Sequence, residues 1–305
     1  MLIFATSDKG GTGRSVTGCN VIYRRALQGS DVCYVDFDFG SPTSGAIFGI
    51  SELTRGTIGS GTHSYLLGRA PLEEMWDVRQ HSDRMSLRRG PPGAGRLALA
   101  PGDAGGAEFA IDDDMIERCI DMFLRLHEEF EVVLVDLSAG RSYAAELVIA
   151  ATSASALSGV TSRWLVFHRW TRQHVNAAAG LVYGERGLLD IGETHGRTRE
   201  KFIEDIRFVR TAIVDPNTED EMGLSPPQLA WLREANTDLQ RLAADLGVGR
   251  SAMLGEVPLD RVLQWREQLI TDADVWARHI ANQATLEAFE SIAKNMTDEQ
   301  AWAQP

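Results

Sequence analysis

The sequence predicts an α/β fold in which a mostly parallel central sheet carries helices on both faces. Three observations predict it. Short β-rich apolar runs alternate with helical patterns along most of the chain, the signature of a parallel sheet covered on both sides. The run Val132-Val133-Leu134-Val135 is apolar on successive residues, so both of its faces are buried and it belongs near the sheet centre. A glycine-rich turn, Lys9 to Gly13, joins the first apolar run to the first helical one.

In chain order, the apolar run Leu2 to Thr6 reads as a strand, and Ser15 to Gln28 as the helix after the glycine turn. Asp31 to Asp36 is the second strand. The segment Gly56 to Gly106 is rich in Gly, Pro and Arg, which predicts a variable surface region spanning about 54–110. Within it a short helix is expected at Pro71 to Val78 and a strand at Arg96 to Ala100. Further strands are predicted at Val132 to Asp136, Trp164 to His168, Phe208 to Val214 and Met253 to Val257. Between and after them, helical patterns cover Asp112 to Glu129, Tyr143 to Ser153, Thr171 to Tyr183, Arg199 to Ile206, Ser225 to Leu246 and Ala273 to Lys294. No linker divides this pattern, so residues 1–296 are expected to form a single domain and the polar tail 297–305 to fray.

Composition narrows the class. With 305 residues, 44% hydrophobic and 24% charged, the chain has the profile of a globular protein with a sizeable core. A net charge of -13 weighs against holding nucleic acid by phosphate neutralisation, so DNA is not an expected partner. The locally basic stretches, Arg24-Arg25, Arg84 to Arg96 and Arg163 to Arg172, read as solvated faces. Cys19, Cys33 and Cys119 lack the paired spacing of a disulfide framework or metal site, which fits a reducing, cytoplasmic setting. The first apolar run gives way at once to Asp8-Lys9-Gly10, too short for a signal peptide or membrane span. Of 30 basic residues only Lys9, Lys201 and Lys294 are lysine, so a retained lysine calls for a reason.

Lys9 sits in that glycine turn. Glycines at 10, 11 and 13 let main-chain N–H groups converge on phosphate oxygens, and the helix that follows adds a favourable dipole. Ser15 is placed to offer its hydroxyl to magnesium. The string Lys9-Gly10-Gly11-Thr12-Gly13-Arg14-Ser15 resembles the deviant Walker A motif of the ParA/MinD group of P-loop ATPases, related to the iron-protein and CobQ proteins. It keeps the early signature lysine and has Arg14 where the second lysine stands. The resemblance implies a P-loop NTPase fold that binds ATP or ADP with Mg2+. It also implies a homodimer that nucleotide closes, with Lys9 reaching the partner's phosphates. Gly10, Gly11, Thr12, Gly13, Arg14, Ser15 and Val16 would wrap the phosphates. A guanidinium is planar and forked and does not fill an ammonium position, so hydrolysis is expected to be slow or absent.

Two acidic segments extend the resemblance. Asp36-Phe37-Asp38 is similar to the group's Asp-x-Asp switch, which makes Asp38 the residue that orients attacking water and Asp36 a magnesium-side group. Val132 to Gly140 is similar to the Walker B strand and second switch, with Asp136 holding magnesium; Ser138 departs from the usual proline. The implied metal set is Ser15, Asp36 and Asp136, and the implied catalytic pair is Lys9 and Asp38. Asp215-Pro216 and Pro258-Leu259 fall where the group contacts the base. The stretches Gly61 to Glu74 and Leu97 to Gly102 also resemble MinD-type segments.

Two functions follow. One is a switch with weak magnesium-dependent ATPase activity and nucleotide-dependent homodimerisation. The other is a degenerate member that acts as an interaction or regulatory subunit because Arg14 has disabled turnover. A carboxylate-activating ligase is a distant third. The acidic end, Thr297 to Pro305, lacks the basic amphipathic helix that docks relatives on membranes, so direct membrane binding is not expected. An unidentified protein partner is; Trp170, Arg172 and His174 would supply its surface if exposed.

Overall fold

The computed structural model describes residues 1–215 and 223–303. Eight strands form one sheet: β1 (Leu2–Thr6), β2 (Val32–Phe37), β3 (Trp76–Asp77), β4 (Leu97–Ala100), β5 (Val132–Leu137), β6 (Ser162–Arg169), β7 (Ile206–Ile213) and β8 (Met253–Pro258). Their order across the sheet is β3-β4-β2-β5-β1-β6-β7-β8. All pairings are parallel except β3 with β4 at one edge. The expected architecture is therefore present, and the all-apolar Val132 run lies inside it, between β2 and β1.

Alternation along the strands sorts side chains into two cores. Leu2 and Phe4 of β1 and Val133 and Val135 of β5 face the helices Asp113–Glu129, Tyr143–Ser153 and Arg172–Tyr183. Ile3, Ala5, Val132 and Leu134 face the helices Arg14–Leu27 and Gln283–Asn295. Each central strand is buried on both faces, as a parallel strand between two helical layers must be.

Three local expectations change. The segment read as a helix at Pro71 to Val78 contains β3. Trp76 pairs with Leu99, and Asp77 caps a short helix, Val78–His81, by accepting the Arg79 N–H at 2.8 Å. The single helix expected over Ala273 to Lys294 is broken into a π-turn at Ala273–Ala277 and a helix at Gln283–Asn295. Between them His279 has φ 51. The Asp274 carboxylate accepts from the Thr271 main chain and hydroxyl and from Arg84 and Arg278, fixing a turn that propensity alone does not foresee. The tail expected to fray instead forms the helix Glu299–Trp302. Trp302 is 7% exposed, with the guanidinium groups of Arg163 and Arg207 over its ring at 4.6 and 5.3 Å.

The basic stretches are not open faces throughout. Arg24 is buried and paired with Asp272 at 2.5 Å, and Arg163 is buried and paired with Glu299 at 2.7 Å. Among the described residues, no helix is long and apolar enough to cross a membrane.

Candidate functional site

The carboxyl ends of β1, β2 and β5 meet at one edge of the sheet, where an open α/β sheet places ligands. The ladder sets Asp36 beside Asp136, and Asp136 beside Ala5. From β1 the chain turns through Ser7 to Gly13 and enters the helix Arg14–Leu27. Gly13 stands at the helix N-cap with φ 76, and Gly11 has φ 72. Both conformations favour glycine. Gly10 has no such constraint, and a Cβ built there meets nothing within 4 Å. Its lack of a side chain keeps space open rather than serving packing. The loop is anchored from the far side by the Thr211 hydroxyl, which donates to the Thr12 carbonyl at 2.6 Å.

Two cavities flank the loop. The first, about 410 Å³, is lined by Ser7, Gly10 to Val16, Asp38, Ser41, Thr43, Ala46, Ile47, Ala139 and Glu267. The second, about 260 Å³, is lined by Gly11 to Gly13, Val16, Thr17, Arg169, Thr211, Ala212, Val257 to Asp260, Leu263, Gln264 and Glu267. They share Gly11, Thr12, Gly13, Val16 and Glu267. A ligand with a polar tail on one side of the loop and a flat body on the other fits their combined size. The open glycine turn, the helix N-terminus and these cavities fit a nucleotide.

Arg14 is the feature that sequence reasoning placed least well. It folds inward, 6% exposed, and lies between two carboxylates. Nε donates to Asp136 Oδ1, and Nη2 donates to Asp38 Oδ2 at 2.9 Å. Nη1 and Nη2 also reach the hydroxyls of Ser7 and Ser15 at 3.4 Å each. Burial alone would lower the Arg14 pKa, but Asp136 and then Asp38 outweigh it and raise it further. The guanidinium is a fixed positive charge at the centre of the acidic cluster.

The acids are held accordingly. Asp36 is buried; its Oδ1 accepts the Asp38 N–H at 3.1 Å, and its Oδ2 accepts the Ser44 N–H and hydroxyl at 3.2 and 2.6 Å. Burial and then the charge of Asp136 push its pKa up to about 7, against the Ser44 hydrogen bonds. Burial raises the Asp38 pKa, and Arg14 opposes the rise. Ser138 accepts the Phe39 N–H at 3.2 Å and donates to Phe37 at 3.3 Å, and the Gly140 N–H donates to Ser7 at 2.7 Å. The two acidic segments are thereby tied to each other, and the second to the loop.

This donor set does not fit magnesium. Mg2+ takes about six oxygens near 2.1 Å, most of them from water and phosphate, and needs one or two open carboxylates from the protein. Here Asp36 spends both oxygens on local N–H and O–H donors, while one oxygen each of Asp136 and Asp38 faces the guanidinium. Among the described residues, no cluster of three His, Cys, Asp or Glu side chains is arranged to hold a metal ion.

The other expected site residues divide. Lys9 is partly exposed at the start of the loop, and its side chain makes no ion pair or hydrogen bond among the described residues. Pro258 and Leu259 line the second cavity, whereas Asp215 is exposed and lines neither. Pro216 lies outside the described residues. Trp170 is not an open surface: Arg210 covers its ring at 3.4 Å and its indole N–H donates to Asn236 at 2.7 Å.

Three contributors were not foreseen. Ser7 is buried beside Arg14. Ala212 has φ 53 in an irregular stretch of β7 at the second cavity. Glu267 is the charged residue common to both cavities. Only the glycine spacing could have pointed to Ser7; an alanine at positive φ and a glutamate far along the chain carry no sequence signal.

No protein-family profile and no curated protein matches the sequence significantly. Solved structures do resemble it. A MinC:MinD cell division complex from Aquifex aeolicus superposes with a TM-score of 0.61 at 16% identity, covering 97% of this chain and 95% of that one. The septum site-determining protein MinD from Pyrococcus horikoshii OT3, complexed with Mg-ADP, gives 0.54 at 15%, with 98% and 96% covered. A plasmid partition protein of Borrelia burgdorferi bound to AMPPNP gives 0.58 at 12%, with 96% and 97% covered. The chain has the fold of the MinD and ParA P-loop ATPases.

Proposed function

We propose that this chain is a nucleotide-binding P-loop protein that acts as an interaction or regulatory subunit, with ATP hydrolysis held off by Arg14. The observation that carries this reading is the buried guanidinium between Asp136 and Asp38. Asp38 is the expected water-orienting group, and a carboxylate already paired with a guanidinium is a weak acceptor for a water proton. The loop meanwhile keeps what phosphate binding requires: an open turn, main-chain donors and the helix end. The Borrelia structure with AMPPNP and the Pyrococcus structure with Mg-ADP support placing a nucleotide here. The burial of Arg24 and Arg163 in ion pairs and the net charge of -13 weigh against DNA as the partner.

A second reading, a slow ATPase switch that closes a homodimer, is favoured by Lys9. That lysine is partly exposed at the loop, in a chain that uses arginine almost everywhere else, and can reach a second copy. This reading requires the Arg14 guanidinium to leave the acids.

Phosphate release and equilibrium binding of ATP and ADP separate the two. The expected result is measurable nucleotide affinity with release no faster than in Lys9→Ala, and a gain in turnover for Arg14→Lys. Wild-type release well above the Lys9→Ala level would hand the case to the switch.

A further inference from the structure

We infer that the protein takes its nucleotide as the free anion, without a divalent metal, because Arg14 supplies the cation at the place a metal would occupy. The inference rests on nucleotide binding at this loop and adds the ligand's chemical form. In a metal-dependent site the acids at the strand ends stand open, and an incoming cation bridges them to the phosphates. Here the bridge is covalently part of the chain. Arg14 Nε meets Asp136, Nη2 meets Asp38 and lies 3.4 Å from the Ser15 hydroxyl.

Charge decides against a second cation. A metal ion coordinated by Asp136 and Ser15 would stand within a few ångströms of the guanidinium in a largely buried cluster, where like charges repel strongly. The guanidinium cannot give way by deprotonating, because arginine stays charged in proteins. It can only swing out, which would leave Asp38 and Asp136 to be neutralised afresh.

Donor count favours direct contact with phosphate. Arginine has five N–H groups, and the four hydrogen bonds above use four of them. Arg14 also lines the first cavity, with Gly10 to Gly13. A phosphate oxygen entering there meets main-chain N–H groups and one remaining arginine donor.

The test is calorimetric titration of the full wild-type chain with ATP, once in excess EDTA and once with saturating magnesium. The expected result is equal affinity within about twofold. Arg14→Lys, whose compact ammonium leaves an acid oxygen free, should instead bind at least tenfold more tightly with magnesium than in EDTA. Gly10→Val is the control for location: its Cβ meets nothing in the fold, so the chain should fold and lose binding under both conditions. Wild-type binding that weakens tenfold or more in EDTA overturns the inference and leaves nucleotide binding standing. Absence of heat under both conditions, or unchanged binding by Gly10→Val, overturns the inference and nucleotide binding at this loop together.

Discussion

Arginine serves both ends of the sheet, with different partners at each. Where β6 and β7 begin, Arg163 donates to the Met296 carbonyl at 2.9 Å and Arg207 to the Trp302 carbonyl at 2.6 Å. Both stack on the Trp302 ring. Where β1, β2 and β5 end, Arg14 meets two carboxylates instead. Carbonyls and an aromatic face are neutral, and the one carboxylate Arg163 also meets, Glu299, is largely exposed, so the first pair fastens a terminal helix mainly through neutral groups. Asp136 and Asp38 are anions that need cancelling whether or not a ligand is present. The same residue type is a fastener at one end and a fixed counter-ion at the other.

Removing the counter-ion should have the largest effect. Arg14→Ala leaves a buried carboxylate without its partner, a loss of about 3–5 kcal/mol for such pairs. Urea unfolding should show it at pH 7, with part recovered at lower pH as Asp38, whose pKa burial already raises, takes up a proton. If the variant is as stable as wild type, Arg14 is not the charge the acids depend on, and the contrast between the two ends collapses.

Removing the fastener should come next. Trp302→Ala strips a nearly buried indole from between two guanidinium groups, worth about 3 kcal/mol by analogy with buried aromatic truncations. Because the indole does not titrate and the carboxylate paired with Arg163, Glu299, is largely exposed, this loss should vary less between pH 5 and pH 7 than that of Arg14→Ala. A loss as pH-dependent as that of Arg14→Ala would mean that both ends work through charge.

The fold was legible because periodicity and burial agree in it. Seven of the eight strands lie where alternating apolar runs predict them, while β3 escaped because two residues cannot carry a period. The glycine turn was legible through its spacing and its place between strand and helix. The orientation of Arg14 was not. Spacing fixes where a side chain starts, and its course depends on Asp38 and Asp136, 24 and 122 positions away. The break near Asp274 and the anchored tail escaped for the same reason: each is decided by arginines distant in sequence, Arg84 for one and Arg163 and Arg207 for the other.

A smaller effect separates the acids within the cluster. The pKa of Asp36 stands near 7 in the fold and near 4 in an unfolded chain, so the folded state holds the extra proton between those values. Stability carried by that proton is complete below about pH 4 and is lost as pH rises through about 7, with a slope of up to about 1.4 kcal/mol per pH unit. Asp36→Asn should flatten this component in denaturant titrations from pH 5 to 8, and an unchanged slope would move the proton to another acid.

The smallest predicted effect probes the seam between the cavities. If the proposed nucleotide has its phosphates on one side of the loop and its base on the other, its ribose would lie where the linings meet. Glu267 is the charged residue shared there, and its carboxylate can accept from sugar hydroxyls. Affinity alone is a poor gauge, because Glu267→Ala removes an acceptor and also relieves repulsion of the phosphates. The ratio of dATP to ATP dissociation constants cancels the repulsion, since both ligands carry the same charge. One hydrogen bond of ordinary strength, about 1 kcal/mol, makes that ratio roughly fivefold in wild type. Glu267→Ala should bring it close to one while leaving stability unchanged. A ratio that survives the substitution places the sugar away from this carboxylate, and with it the orientation in which the loop divides phosphate from base.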